Sequence, residues 1–220
     1  MVHADAFVAD LEFKNQESFR RLGASGYLPA LAGEGASVAD MLRFESRFAI
    51  ESIEAAAIWI ADSESLEMKI LLGTQCGVHA LHYQKLQDRL AALGLAPGSY
   101  DPRQGGYSKL FAFLRSLQTS EERVAAGLFT LGGAAVARLD SLAAYCQARS
   151  DGDSRDLISH GLIPDEQKRT DEGRERLILF ATTEESQARV RRAIYRAVEL
   201  LGEAYEPAAI RRSTGRASRK

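Results

Sequence analysis

Cysteine and proline are both scarce, with two and five residues among 220. Two thiols, Cys76 and Cys146, exclude a disulfide framework and a multi-cysteine zinc or iron–sulfur site. Both are expected to be buried, unreactive small hydrophobes. No apolar run approaches the roughly 20 residues that span a bilayer. The opening residues Met1-Val-His-Ala-Asp5 lack the basic stretch and apolar segment of a secretory signal. The expectation is a cytoplasmic protein with reduced thiols and no membrane partner. An excess of either charge is also missing. The 28 basic residues meet 30 acidic ones, for a net charge of −2, which excludes a wholesale basic surface for nucleic acid. β-Branched residues never alternate with polar ones over the length of a strand, so no sheet is expected. What remains is an alanine-rich chain, 45% apolar and 26% charged, which is the composition of an all-α protein with a buried core.

Breakers and caps divide the chain into helices. A first helix covers about 3–21 and is broken by Gly23 to Pro29, with a second loop at 33–36. Ser37-Val-Ala-Asp40 reads as a capping box that opens a helix to about 61. A tight turn at Asp62-Ser63 leads to a helix over 64–93, closed by Gly94 and Pro97. After a loop over 95–106 comes a short amphipathic helix at 107–118. Thr119-Ser-Glu-Glu122 caps a long helix to about 149. Asp151 to Ser154 breaks the chain, a short helix runs to about 159, and Pro164 opens a helix to about 182. Thr182-Thr-Glu-Glu185 reads as a further capping box before a last helix to about 201. Two hairpins of long helices predict an antiparallel four-helix bundle over 37–204. Residues 1–36 form a helix and loop packed on it. The basic tail over 205–220, with Arg211, Arg212, Arg216, Arg219 and Lys220, reads as a disordered solubilising end.

Function should show where polar residues take positions that the helical period assigns to the core. The helix over 64–93 has a stripe of Met68, Leu72, Gln75, His79, His82, Leu86, Leu90 and Leu93, polar at its centre. Leaving three such groups buried without partners would cost a few kcal/mol each. His79 and His82 stand three residues apart, on one face, a spacing that can chelate one metal or form a buried polar pair. On the helix over 37–61, Glu45 and Glu51 are the candidate acids. The turn near residue 63 places position n at the depth of about 126 − n, so His79 faces about 47 and His82 about 44. Glu45 is then off by about 3 Å and Glu51 by about 6 Å, with Glu54 third. Glu166 lies on a stripe with Ile163, Thr170, Gly173, Leu177 and Phe180, and Arg169 can pair with it. Gly132-Gly133, inside the helix over 120–149, costs roughly 1 kcal/mol per glycine against alanine. Close helix packing, or a cavity for a small molecule, would offset that.

This pattern resembles the ferritin-like superfamily of four-helix carboxylate proteins. Those proteins draw one glutamate from each of two helices and a Glu-x-x-His from each of the other two to bind two iron or manganese ions. Thr74 to His82 is similar to one Glu-x-x-His helix, with His82 at the histidine and His79 at the glutamate position. Asp165-Glu-Gln-Lys-Arg169 is similar to the family's Asp-Glu-x-x-His, with Glu166 kept and Arg169 in place of histidine. Gly132 falls where another glutamate belongs, and Glu45 or Glu51 supplies the last. The likeness covers about residues 37–200.

With three of six ligands changed, too few carboxylates remain to share the charge of two ions, and Arg169 adds a cation. The set His79, His82, Glu166 and Glu45 or Glu51 suits a single Fe, Mn or Zn ion with open positions. The resemblance then implies an iron-dependent oxidoreductase or oxygenase acting on a small organic substrate, with an external electron donor. Gln75 and Arg169 would be catalytic side chains. The alternative is a metal-free bundle in which the same residues form a network for acid–base catalysis or ligand binding. A third is an interaction bundle whose network only specifies packing. Exposed apolar helix faces on such bundles favour homodimers.

Overall fold

The computed structural model describes residues 3–25, 36–96 and 98–206, and every regular element among them is helical. The basic tail from 207 onward and all of residues 26–35 lie outside the described residues. Helix α1 (Ala4–Ser25) runs four residues past the predicted end. Helix α2 (Val38–Asp62) starts at the expected capping box, in which Ser37 Oγ accepts from the Asp40 amide at 3.2 Å and Asp40 accepts from the Ser37 amide at 3.0 Å. Ser63 closes α2, and Ser65 caps α3 (Leu66–Ala92), so the two helices form a tight hairpin with extensive mutual packing.

Helix α4 (Lys109–Ser116) is capped by Ser108. The next rod starts at the predicted Thr119–Glu122 capping box and has three parts: α5 (Ser120–Arg123), a π-helical stretch (Val124–Thr130) and α6 (Leu131–Ala148). Then come α7 (Gly152–Gly161), α8 (Ile163–Phe180) and α9 (Glu184–Ala204). The last capping box is one residue later than predicted, with Thr183 as cap and Ser186 as its reciprocal partner. Arg89 joins the end of α3 to the start of α7 through Asp151 at 2.7 Å and Ser154 at 2.8 Å.

The π stretch was not foreseen. Read as one regular α-helix, this rod carries a stripe of Ala125, Leu128, Phe129, Gly132, Ala135, Val136 and Leu139. The wide turn breaks the 3.6-residue period locally, yet every member of the stripe but Val136 is buried. Val136 is only half-buried, whereas Arg138, which lies off that stripe, is buried. Glycines let neighbours press on this stretch. A Cβ on Gly127 would stand 2.6 Å from the Trp59 indole, and one on Gly173 would stand 2.7 Å from the Phe129 backbone nitrogen. A Cβ on Gly132 would stand 2.6 Å from Thr170 Oγ1. Close packing of α6 on α8, not a void over the polar cluster, therefore accounts for Gly132. A cavity of about 500 Å³ does border Gly133, between α1, α6 and α9.

Candidate metal centre

Pro164 starts α8, and Asp165 and Glu166 occupy its first turn, where amide dipoles favour carboxylates. The same turn carries Glu166 inward, 5% exposed, toward the centre of α3. There the polar stripe lies inside as its period requires, with Gln75, His79 and His82 all buried. Glu166 Oε1 is 3.5 Å from His79 Nδ1 and 3.7 Å from His82 Nδ1. One ligand atom from each of these three residues lies within 4.8 Å of the other two. The imidazole rings meet edge to face, 5.7 Å between centroids.

The partners decide what these atoms offer. His82 Nε2 lies 2.9 Å from Asp165 Oδ2. An ionised carboxylate can only accept, so His82 donates from Nε2, and in the neutral ring the Nδ1 lone pair faces Glu166. Asp165 is 43% exposed at its side chain and holds the ring from outside the cluster. Burial, followed by the Arg169 guanidinium and His82, lowers the His79 pKa well below its ordinary value, so this ring is neutral. Glu166 Oε2 accepts from Arg169 Nη1 at 3.0 Å, and Arg169 Nη2 donates to the Gly127 carbonyl of the π stretch at 2.6 Å. The arginine fixes Glu166 and leaves Oε1 to the histidines.

Other predicted site residues are placed differently. Glu45 lines the same cavity, of about 40 Å³, as His79, His82, Glu166 and Arg169, so its predicted depth holds. Its carboxylate, however, takes both contacts from Arg138 Nε, at 2.8 and 3.1 Å, and is not grouped with the three ligand atoms. Arg138 also donates to Tyr205 Oη at 3.1 Å and lies over the Phe48 ring. Glu51 is buried but serves another cluster, bonded to Arg47 one turn back and to the backbone and hydroxyl of Ser108 at the cap of α4. Glu54 faces Arg103 across 3.9 Å. Gln75 donates to Glu172 at 3.0 Å. Gln75, His79 and Arg169 line a second cavity of about 10 Å³, and Gln75 Oε1, His79 Nε2 and Arg169 Nε are buried without a protein partner. That space is no larger than one water molecule. Arg138 is the site residue the sequence reading passed over. Its signal was an arginine seven residues after Leu131 and four before Leu142, both core positions.

The donor set fits one ion and not two. Two imidazoles and a carboxylate oxygen converge from α3 and α8, a 2-His-1-carboxylate set. Separations of 3.5 and 3.7 Å are within a few tenths of the roughly 3.4 Å edge between ligands about 2.1 Å from one ion. A second ion needs bridging carboxylates, but Glu45 and Glu51 are engaged elsewhere and Gly132 supplies none. No family model matches the chain, and no curated protein or solved structure matches it either. Among the described residues no helix is long and apolar enough to cross a membrane.

Proposed function

We propose that α2, α3, the α5–π–α6 rod and α8 form a ferritin-like antiparallel four-helix bundle that holds one transition-metal ion, iron by preference, on His79, His82 and Glu166. The observation that carries this reading is the approach of two Nδ1 atoms to one carboxylate oxygen, with one ring oriented from behind by Asp165. A bound iron supplies one-electron redox chemistry toward dioxygen, used here for oxidising a small organic molecule with electrons from an external donor. The chain's own residues do the rest. Asp165 fixes His82, Arg169 fixes Glu166 and offsets its charge, and Leu86, Leu131 and Leu139 supply the apolar part of the wall beside the rings. That cavity, about 40 Å³, admits diatomic or water-sized ligands only. The cavity of about 500 Å³ has the size for an organic substrate, and Arg138 lines both spaces.

One observation favours a second reading. Arg169 already balances Glu166, as a metal-free acid–base network would require. Metal analysis of protein purified without chelator and reconstituted anaerobically with Fe(II) separates the two. The first reading expects about one ion per chain, lost in H82A with the fold intact. Near zero in the wild type supports the metal-free network, and near two contradicts the charge argument.

A further inference from the structure

The Arg138–Glu45 pair has a consequence for the metal reading, on which the following rests. Glu45 is 4% exposed and lines the cavity of His79, His82 and Glu166, so it is a buried carboxylate on the wall of the candidate centre outside the three-residue cluster. Arg138 comes from the opposite rod and grips it with a buried guanidinium, braced by Tyr205 and the Phe48 ring. A buried carboxylate needs one cationic partner, and a guanidinium and a metal ion compete for that place.

We infer that Arg138 sets the ligand number of the centre: by holding Glu45 it keeps a second carboxylate out of the ligand set and leaves a one-carboxylate site. Removing the guanidinium delivers Glu45 to the cavity, raising the affinity for a divalent ion and opening the way to a second. Arg138 is thus a specificity-determining residue outside the three-residue cluster, and Glu45 is a latent ligand.

The test is a double-mutant cycle read by Co(II) titration of the full chain, with unfolding followed in the same samples. R138M is expected to bind Co(II) at least about tenfold more tightly than the wild type. E45Q alone is expected to give no gain in affinity, because Glu45 is engaged by Arg138 in the wild type and its neutralisation leaves that guanidinium uncompensated beside the cavity. E45Q added to R138M should return the affinity to the wild-type value. R138Q, which still donates a hydrogen bond to Glu45, should show a smaller gain and serves where R138M does not fold. An R138M affinity equal to or below that of the wild type, or a gain that survives E45Q, overturns the inference. If the wild type takes up no Co(II) but R138M does, the metal reading of the native protein fails while the role of Arg138 stands. If neither binds, both fail.

Discussion

Replacing Gly173 with alanine should destabilise the protein although alanine is the better helix former. The helix gain is about 1 kcal/mol. Against it, the new Cβ would stand 2.7 Å from Phe129 N, 3.0 Å from Leu128 Cβ and 3.0 Å from Phe129 Cα. Two of these atoms are backbone and none can rotate away. Reaching ordinary contact at 3.4 Å requires α8 and the π stretch to part by roughly 0.7 Å. Overpacking costs about 1–3 kcal/mol, and a clash with backbone that cannot rotate away falls in the upper part of that range, about 2–3 kcal/mol, so the net loss is about 1–2 kcal/mol. For a chain of this size that lowers Tm by about 2–8 °C. Gly77 is the control. It lies in the interior of α3 with no atom within 4 Å of its built Cβ, so G77A should stabilise by about 0.5–1 kcal/mol. Paired urea and thermal melts check the opposite signs. A G173A protein as stable as the wild type would refute the close-crossing argument.

Three further outcomes follow from the site and core. The His79 pKa is depressed in the folded protein, so below the ordinary imidazole value of about 6.5 the unfolded chain binds more protons. The stabilisation from keeping this ring neutral is therefore full above pH 6.5 and declines as pH falls through that value. Urea melts between pH 5 and 8 should show the decline in the wild type and a flatter profile in H79L. D165N removes the carboxylate that orients His82 and should weaken Co(II) binding about 10–100-fold with little change in fold; unchanged affinity would remove Asp165 from the account. Cys146 is buried and its thiol is pushed up to about 11, whereas Cys76 is only half-buried. Thiol labelling at pH 8 should modify Cys76 first and Cys146 only on unfolding, and equal rates would contradict the burial pattern.

Most of the fold is legible because its signals are local. Ser37 and Thr119 announce helix starts three residues ahead of their acids, and the structure forms both boxes. The inward orientation of Gln75, His79 and His82 follows from the helical period alone. Glu166 follows from one acid on an apolar face. The depth of Glu45 follows from the tight hairpin, but its partner does not, because Arg138 lies 93 residues away in sequence and no local signal sets the register of its rod against α2. Glu51 had a visible competitor in Arg47, four residues earlier on the same helix, and an invisible one in Ser108, which only the long connection brings near. Gly127 and Gly173 could be read only as helix weaknesses, since the neighbours that demand them, Trp59 and Phe129, lie far away in sequence.

The most direct measurement is anomalous diffraction from crystals loaded with Co(II). The account predicts a single strong peak about 2.1 Å from the facing Nδ1 atoms of His79 and His82 and from a carboxylate oxygen of Glu166, with Arg138 still on Glu45. No peak among these three residues, or two peaks bridged by Glu45, would contradict it.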